Sequence, residues 1–166
     1  MNNFLKNAVT ASLLSGSAAL IGSYAPAAAA AAGDMTVTVT MKSYSGNEAY
    51  AAAYIVGPDG AYVTTVYVAG ARAQFQRDLL RWSRLMERVG RGIDGITGAS
   101  VGSGQSFTTS LSIPSKLMNA GYKLRVETAV ENGQYYPGDA VVPLDDAQLG
   151  KAVAGTGYVQ TLTIKR

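Results

Sequence analysis

Tyr50 to Val56 (YAAAYIV), Gly57-Pro58-Asp59-Gly60 and Tyr62 to Val68 (YVTTVYV) form the stretch on which the fold turns. Two β-rich runs flank a turn sequence whose proline presets φ and whose glycines accept positive φ, so the segment predicts a β-hairpin. Upstream, Met35 to Lys42 alternates Val37 and Val39 with Thr36, Thr38 and Thr40, the period of a strand with one buried face. Downstream the period changes. Phe75, Leu79, Trp82, Met86 and Val89 recur at helical spacing, with Leu80 and Leu85 widening the stripe, and Gly90 follows to close the helix in a left-handed conformation. Strand patterns return at Phe107 to Ile113 and Tyr122 to Val130, and an Asn132-Gly133 turn comes next. Ala140 to Val142 is a weaker strand, and Tyr158 to Ile164 the last. About seven short strands with one amphipathic helix inserted after the third predict a mainly β fold, an immunoglobulin-like β-sandwich.

The first 32 residues read differently. A polar start holding Lys6 runs into an apolar stretch from about Ala8, then Pro26 and the alanines Ala27 to Ala32, which offer small-x-small sites for a signal peptidase. Ser15, Gly16, Ser17, Gly22, Ser23 and Pro26 make the stretch a poor permanent span. The expectation is a cleaved signal peptide over 1–32, export to the periplasm, and a single β-sandwich domain over 33–166.

Composition removes whole classes of chemistry. The chain has no cysteine, which excludes disulfides, thiol catalysis and Cys-ligated metal. It has no histidine, so the usual general base and metal ligand are missing. Of 14 Lys and Arg only Lys6 lies in the leader, so the charge after processing is about +2, too small to argue for nucleic acid.

Asp94-Gly95-Ile96-Thr97-Gly98-Ala99-Ser100 is the stretch most specific in its chemistry, a small-residue loop presenting two hydroxyls and a carboxylate. Gly98-Ala99-Ser100-Val101-Gly102 fits the G-x-S-x-G pattern of a hydrolase nucleophile elbow, but that elbow needs a base and the chain has no histidine. No serine lies three residues before a lysine, so a Ser-Lys arrangement fails as well. A phosphate-binding loop fails because Gly95 to Ser100 lacks the Lys-Ser/Thr ending. By composition alone the stretch is a glycine-rich turn.

The same residues resemble the target motif of bacterial flavin transferases: Asp, two free positions, Ser or Thr, Gly, Ala, then Thr or Ser. The resemblance implies that Ser100, the last hydroxyl residue, accepts FMN from FAD through a phosphoester. Threonine is the commoner acceptor in such motifs. Asp94, Thr97, Gly98 and Ala99 would be the recognition loop, and Arg91 is the nearest cation for the flavin phosphate. The order of hairpin, helix with Leu79-Leu80-Arg81-Trp82, motif loop and Glu127 to Gly133 is similar to that of the DUF2271 family of predicted periplasmic proteins. The resemblance implies a covalently flavinylated electron carrier, modified by a flavin transferase and served by a PepSY-type membrane reductase, rather than a stand-alone enzyme. A different class, a non-redox immunoglobulin-like binding or structural module, would use the loop only as a connection.

Physical requirements agree with an acceptor loop. A hydroxyl that must enter another enzyme's active site belongs on an exposed segment with small neighbours, as Gly95, Gly98, Ala99 and Gly102 provide. A serine hydroxyl is a weak nucleophile, so its activation is expected from the transferase and its magnesium ion.

Other features carry two readings each. Arg77, Arg81, Arg84, Arg88 and Arg91 form a stripe opposite the apolar one, either a solvated face or an attractor of anions. Trp82 belongs to the apolar stripe and is read as core before it is read as a flavin neighbour. Tyr135 and Tyr136 fall in a turn-rich segment, and Asp145 and Asp146 are read as a solvated pair rather than a calcium site.

Overall fold

The computed structural model describes residues 32–70, 73–90 and 97–166, and of the expected leader 1–32 all but Ala32 lies outside them. The chain is mainly β, and two sheets pack face to face as the alternating patterns require. One sheet has four strands in the order β5-β1-β9-β8 and the other five in the order β4-β3-β2-β6-β7. Here β1 is Ala32–Met41, β2 Ala49–Val56, β3 Tyr62–Ala69, β4 Thr97–Gly98, β5 Ser106–Pro114, β6 Lys123–Val130, β7 Tyr135–Pro143, β8 Ala152–Ala154 and β9 Val159–Lys165. Neighbours are antiparallel except β3 and β4, which run parallel. The sequence reading missed β4 and β8 because strands of two or three residues leave no period to detect.

Alternation explains how the layers form. On β1, Met35, Val37, Val39 and Met41 point inward and meet Leu124, Val126, Leu162 and Ile164 in the core between the sheets. On β2 every residue is buried, which an alternating strand achieves only if both of its faces are covered. Ala51, Ala53 and Ile55 enter the inter-sheet core, whereas Tyr50, Ala52, Tyr54 and Val56 enter a second cluster with Leu79 and Trp82 on the far side of the five-stranded sheet.

That second cluster lies beneath the helical segment, which differs from the single helix expected from Phe75 to Val89. It is broken into α1 (Ala73–Gln76) and α2 (Leu80–Val89). The cause is Glu127 on β6, whose carboxylate accepts the backbone N–H groups of Arg81 and Trp82 at 3.1 and 3.2 Å. A continuous helix would have given those amides to carbonyls one turn back. The end of α2 is as expected: Gly90 takes φ 61°, and its N–H bonds the Met86 carbonyl at 3.0 Å.

Candidate functional site

The motif segment is fixed to the sheet on both sides. Thr97 and Gly98 lie alongside Val68 and Ala69, and the Gly70 N–H donates to the Gly98 carbonyl at 2.8 Å. Three residues further on, Val101 makes an isolated antiparallel bridge to Ala49, with N–H···O distances of 2.8 and 3.0 Å. Residues 97–101 therefore cross over the end of β3, from its outer edge to the first residue of β2. Tyr44 supports the crossing from below, its hydroxyl donating to the Val101 carbonyl at 3.2 Å. Burial raises the pKa of that hydroxyl, which keeps it a donor at neutral pH.

The bridge also decides where Ser100 points. Ala49 and Val101 are both buried in the inter-sheet core, so the residue before each faces the opposite way. Those residues are Glu48 and Ser100, and diagonal neighbours across an antiparallel pair are within reach of one another. The Ser100 Oγ donates to the Glu48 Oε2. Thr97 and Ala99 are exposed, and Gly98 and Ser100 partly so.

Gly98 has a packing reason to be glycine. A Cβ built there would fall 1.6 Å from the Tyr67 hydroxyl oxygen and 2.6 Å from its Cζ. Tyr67 is not free to yield, because its ring stacks on Phe107 with centroids 4.9 Å apart. Of the expected motif, Thr97, Gly98, Ala99 and Ser100 thus share one pinned ledge. Asp94 and Arg91 lie outside the described residues. Glu48 was not singled out in the sequence; 52 positions separate it from Ser100, and the Ala49–Val101 bridge brings them together.

A second cluster surrounds Glu127, a fully buried carboxylate. Besides the two helix amides it accepts from the Tyr54 hydroxyl at 3.1 Å and the Tyr135 hydroxyl at 2.9 Å. Burial pushes its pKa above the ordinary range, and the donors, Trp82 N–H foremost, hold it down in part. Tyr135 is itself pushed up to about 12, first by burial and then by the Glu127 charge. This cluster caps α2 from another strand, placing negative charge where the helix dipole favours it.

The remaining candidates resolve into structure. Trp82 is 2 % exposed and donates its indole N–H to Thr65 at 2.9 Å, a core role. Tyr136 sets its edge against Tyr158. Asp145 accepts the Gln148 N–H at 2.9 Å and so organises its own turn, whereas Asp146 pairs with Arg166 at 2.9 Å and accepts from Asn119 at 2.9 Å, which ties that turn to distant segments. Arg81, Arg84 and Arg88 line a groove of about 470 Å³ with Leu80, Leu85 and Tyr135, at the side of α2. Among the described residues no helix is long and apolar enough to cross a membrane.

No curated protein and no solved structure matches the chain. Residues 32–161 match DUF2271, described as a predicted periplasmic protein. The match runs from the first residue of β1 into β9 and includes the crossing that bears Ser100. The chain belongs to the DUF2271 family of predicted periplasmic proteins.

Proposed function

We propose that the protein is an exported electron carrier in which Ser100 holds FMN through a phosphoester. A flavin transferase makes the attachment, with Asp94, Thr97, Gly98 and Ala99 as its recognition loop. A PepSY-type membrane reductase supplies electrons for an acceptor outside the cytosol. The observation that carries this reading is that the last hydroxyl of the motif stands on a ledge that is both reachable and fixed. Ala99 beside it is exposed and small, and Ser100 turns away from the core. A partly exposed hydroxyl beside small residues suits a phosphate-linked group.

FMN, when attached, supplies the redox chemistry that a chain without cysteine or histidine lacks. The protein's own residues do the rest. The Val101 bridge and β4 hold the attachment point, and Tyr44 and Tyr67 brace it from either side. Export gives covalency its value, since a dissociated flavin outside the cytosol is not readily replaced.

The test is intact mass and flavin fluorescence of the exported protein from a host with a working flavin transferase, beside Ser100→Ala. One FMN adduct on the wild type and none on the variant is the expected result. An adduct that persists on Ser100→Ala moves the acceptor to Thr97, which is exposed on the same ledge. A colourless, unmodified wild type overturns the reading.

A further inference from the structure

We infer that Glu48 is the proton acceptor for Ser100 during flavin attachment, so that the carrier brings a catalytic residue of its own to the reaction. This rests on the reading of Ser100 as the FMN acceptor. The Ser100 hydroxyl already donates to Glu48, which fixes where its hydrogen lies and leaves the oxygen lone pairs free for a phosphorus atom. Glu48 itself is exposed, and among the described residues its carboxylate accepts the Ser100 hydroxyl, whereas that of Glu127 is buried and holds two helix amides and two tyrosine hydroxyls.

The step balances as follows. Ser100 Oγ attacks the phosphorus of the FMN half of FAD and an Oγ–P bond forms. The bond from that phosphorus to the bridging pyrophosphate oxygen breaks, and AMP departs with the oxygen and its electron pair, neutralised by the transferase's magnesium ion. The hydroxyl proton passes to the Glu48 carboxylate and from there to water. A carboxylate in contact with an attacking hydroxyl is an established way to take up its proton in phosphoryl transfer. The esterified Ser100 has no hydrogen left to donate, so the bond to Glu48 exists only in the unmodified protein.

Two structural facts make the pair a property of the folded chain. Glu48 ends the β1–β2 loop, Ser100 follows β4, and the Ala49–Val101 bridge sets their register, with the Tyr44 hydroxyl on the Val101 carbonyl and the Tyr44 N–H on Ser103 tying the same two segments together. Exposure of Glu48 also means that its substitution leaves the core untouched.

The experiment uses processed protein purified from a host without flavin transferase, then treated with transferase, FAD and magnesium, with the adduct followed by intact mass. Glu48→Gln keeps a hydrogen-bond acceptor near Ser100 but removes the base. Its kcat for modification is expected to fall at least about tenfold with little change in KM for the carrier, and Glu48→Asp to recover part of the loss. Equal kcat for Glu48→Gln and wild type overturns the role of Glu48, and so does a loss confined to KM. A wild type that takes up no flavin overturns instead the assignment of Ser100, and the two failures are thereby told apart.

Discussion

Glu127 and Glu48 are both carboxylates that reach across to a distant segment, yet their surroundings are opposite. Glu127 is buried and surrounded by four donor groups from α2, β2 and β7. Glu48 is exposed and accepts one hydroxyl. A carboxylate saturated by N–H and O–H donors in a dry site is committed to holding those donors. One with a single reactive partner and open water beside it is available for chemistry. The contrast separates the part of the molecule that maintains the helix layer from the part that presents the ledge.

The largest expected effect comes from removing the buried member. Glu127→Ala leaves the buried Trp82 amide and Tyr54 hydroxyl without their carboxylate and takes a partner from the Arg81 amide and the Tyr135 hydroxyl, and should cost about 3–5 kcal/mol in chemical denaturation. The matched Glu48→Ala should stay within about 0.5 kcal/mol of wild type, as surface substitutions do. Equal costs for the two would erase the distinction.

Gly98→Ala comes next, because the new Cβ must displace Tyr67 from Phe107. A loss of about 1–3 kcal/mol is expected, and it should shrink in a Tyr67→Leu background, where the obstructing hydroxyl is gone. A double-mutant cycle by denaturation checks this, and strict additivity would show that the clash is relieved elsewhere.

The smallest effect is a slope. Because burial raises the Glu127 pKa above its ordinary 4.5, the folded chain holds this proton more tightly than the unfolded chain. The stabilisation from this group is therefore complete below the ordinary value and is lost as pH rises through the folded value. Melting temperature followed upward from the acid side should carry that loss in the wild type and lack it in Glu127→Gln. Parallel curves would mean that the donors cancel burial, and an opposite slope that they outweigh it.

Much of this architecture was legible beforehand, and the exceptions share a cause. The hairpin of β2 and β3, the inward valines of β1 and the closing Gly90 follow from period and turn chemistry within a few residues. Glu127 was hidden because it sits in a strand as an ordinary outward position. Only the helix folded over that face turns it into a buried charge, and the same contact breaks the helix that periodicity predicted as continuous. The motif at Ser100 was readable as a string. Its partner Glu48 was not, since an isolated bridge of one residue pair has no signature in either segment. Local patterns thus located the motif, and tertiary contacts supplied what surrounds it.

β2 is a party wall: its odd residues furnish one chamber of the protein and its even residues another, and its first residue is the hinge-pin on which the crossing that bears Ser100 hangs. Any sideways slip of this strand must therefore be felt in three places together. The flooring under the helix, the contact with the opposite sheet and the pitch of the ledge are geared to one another through a backbone of eight residues.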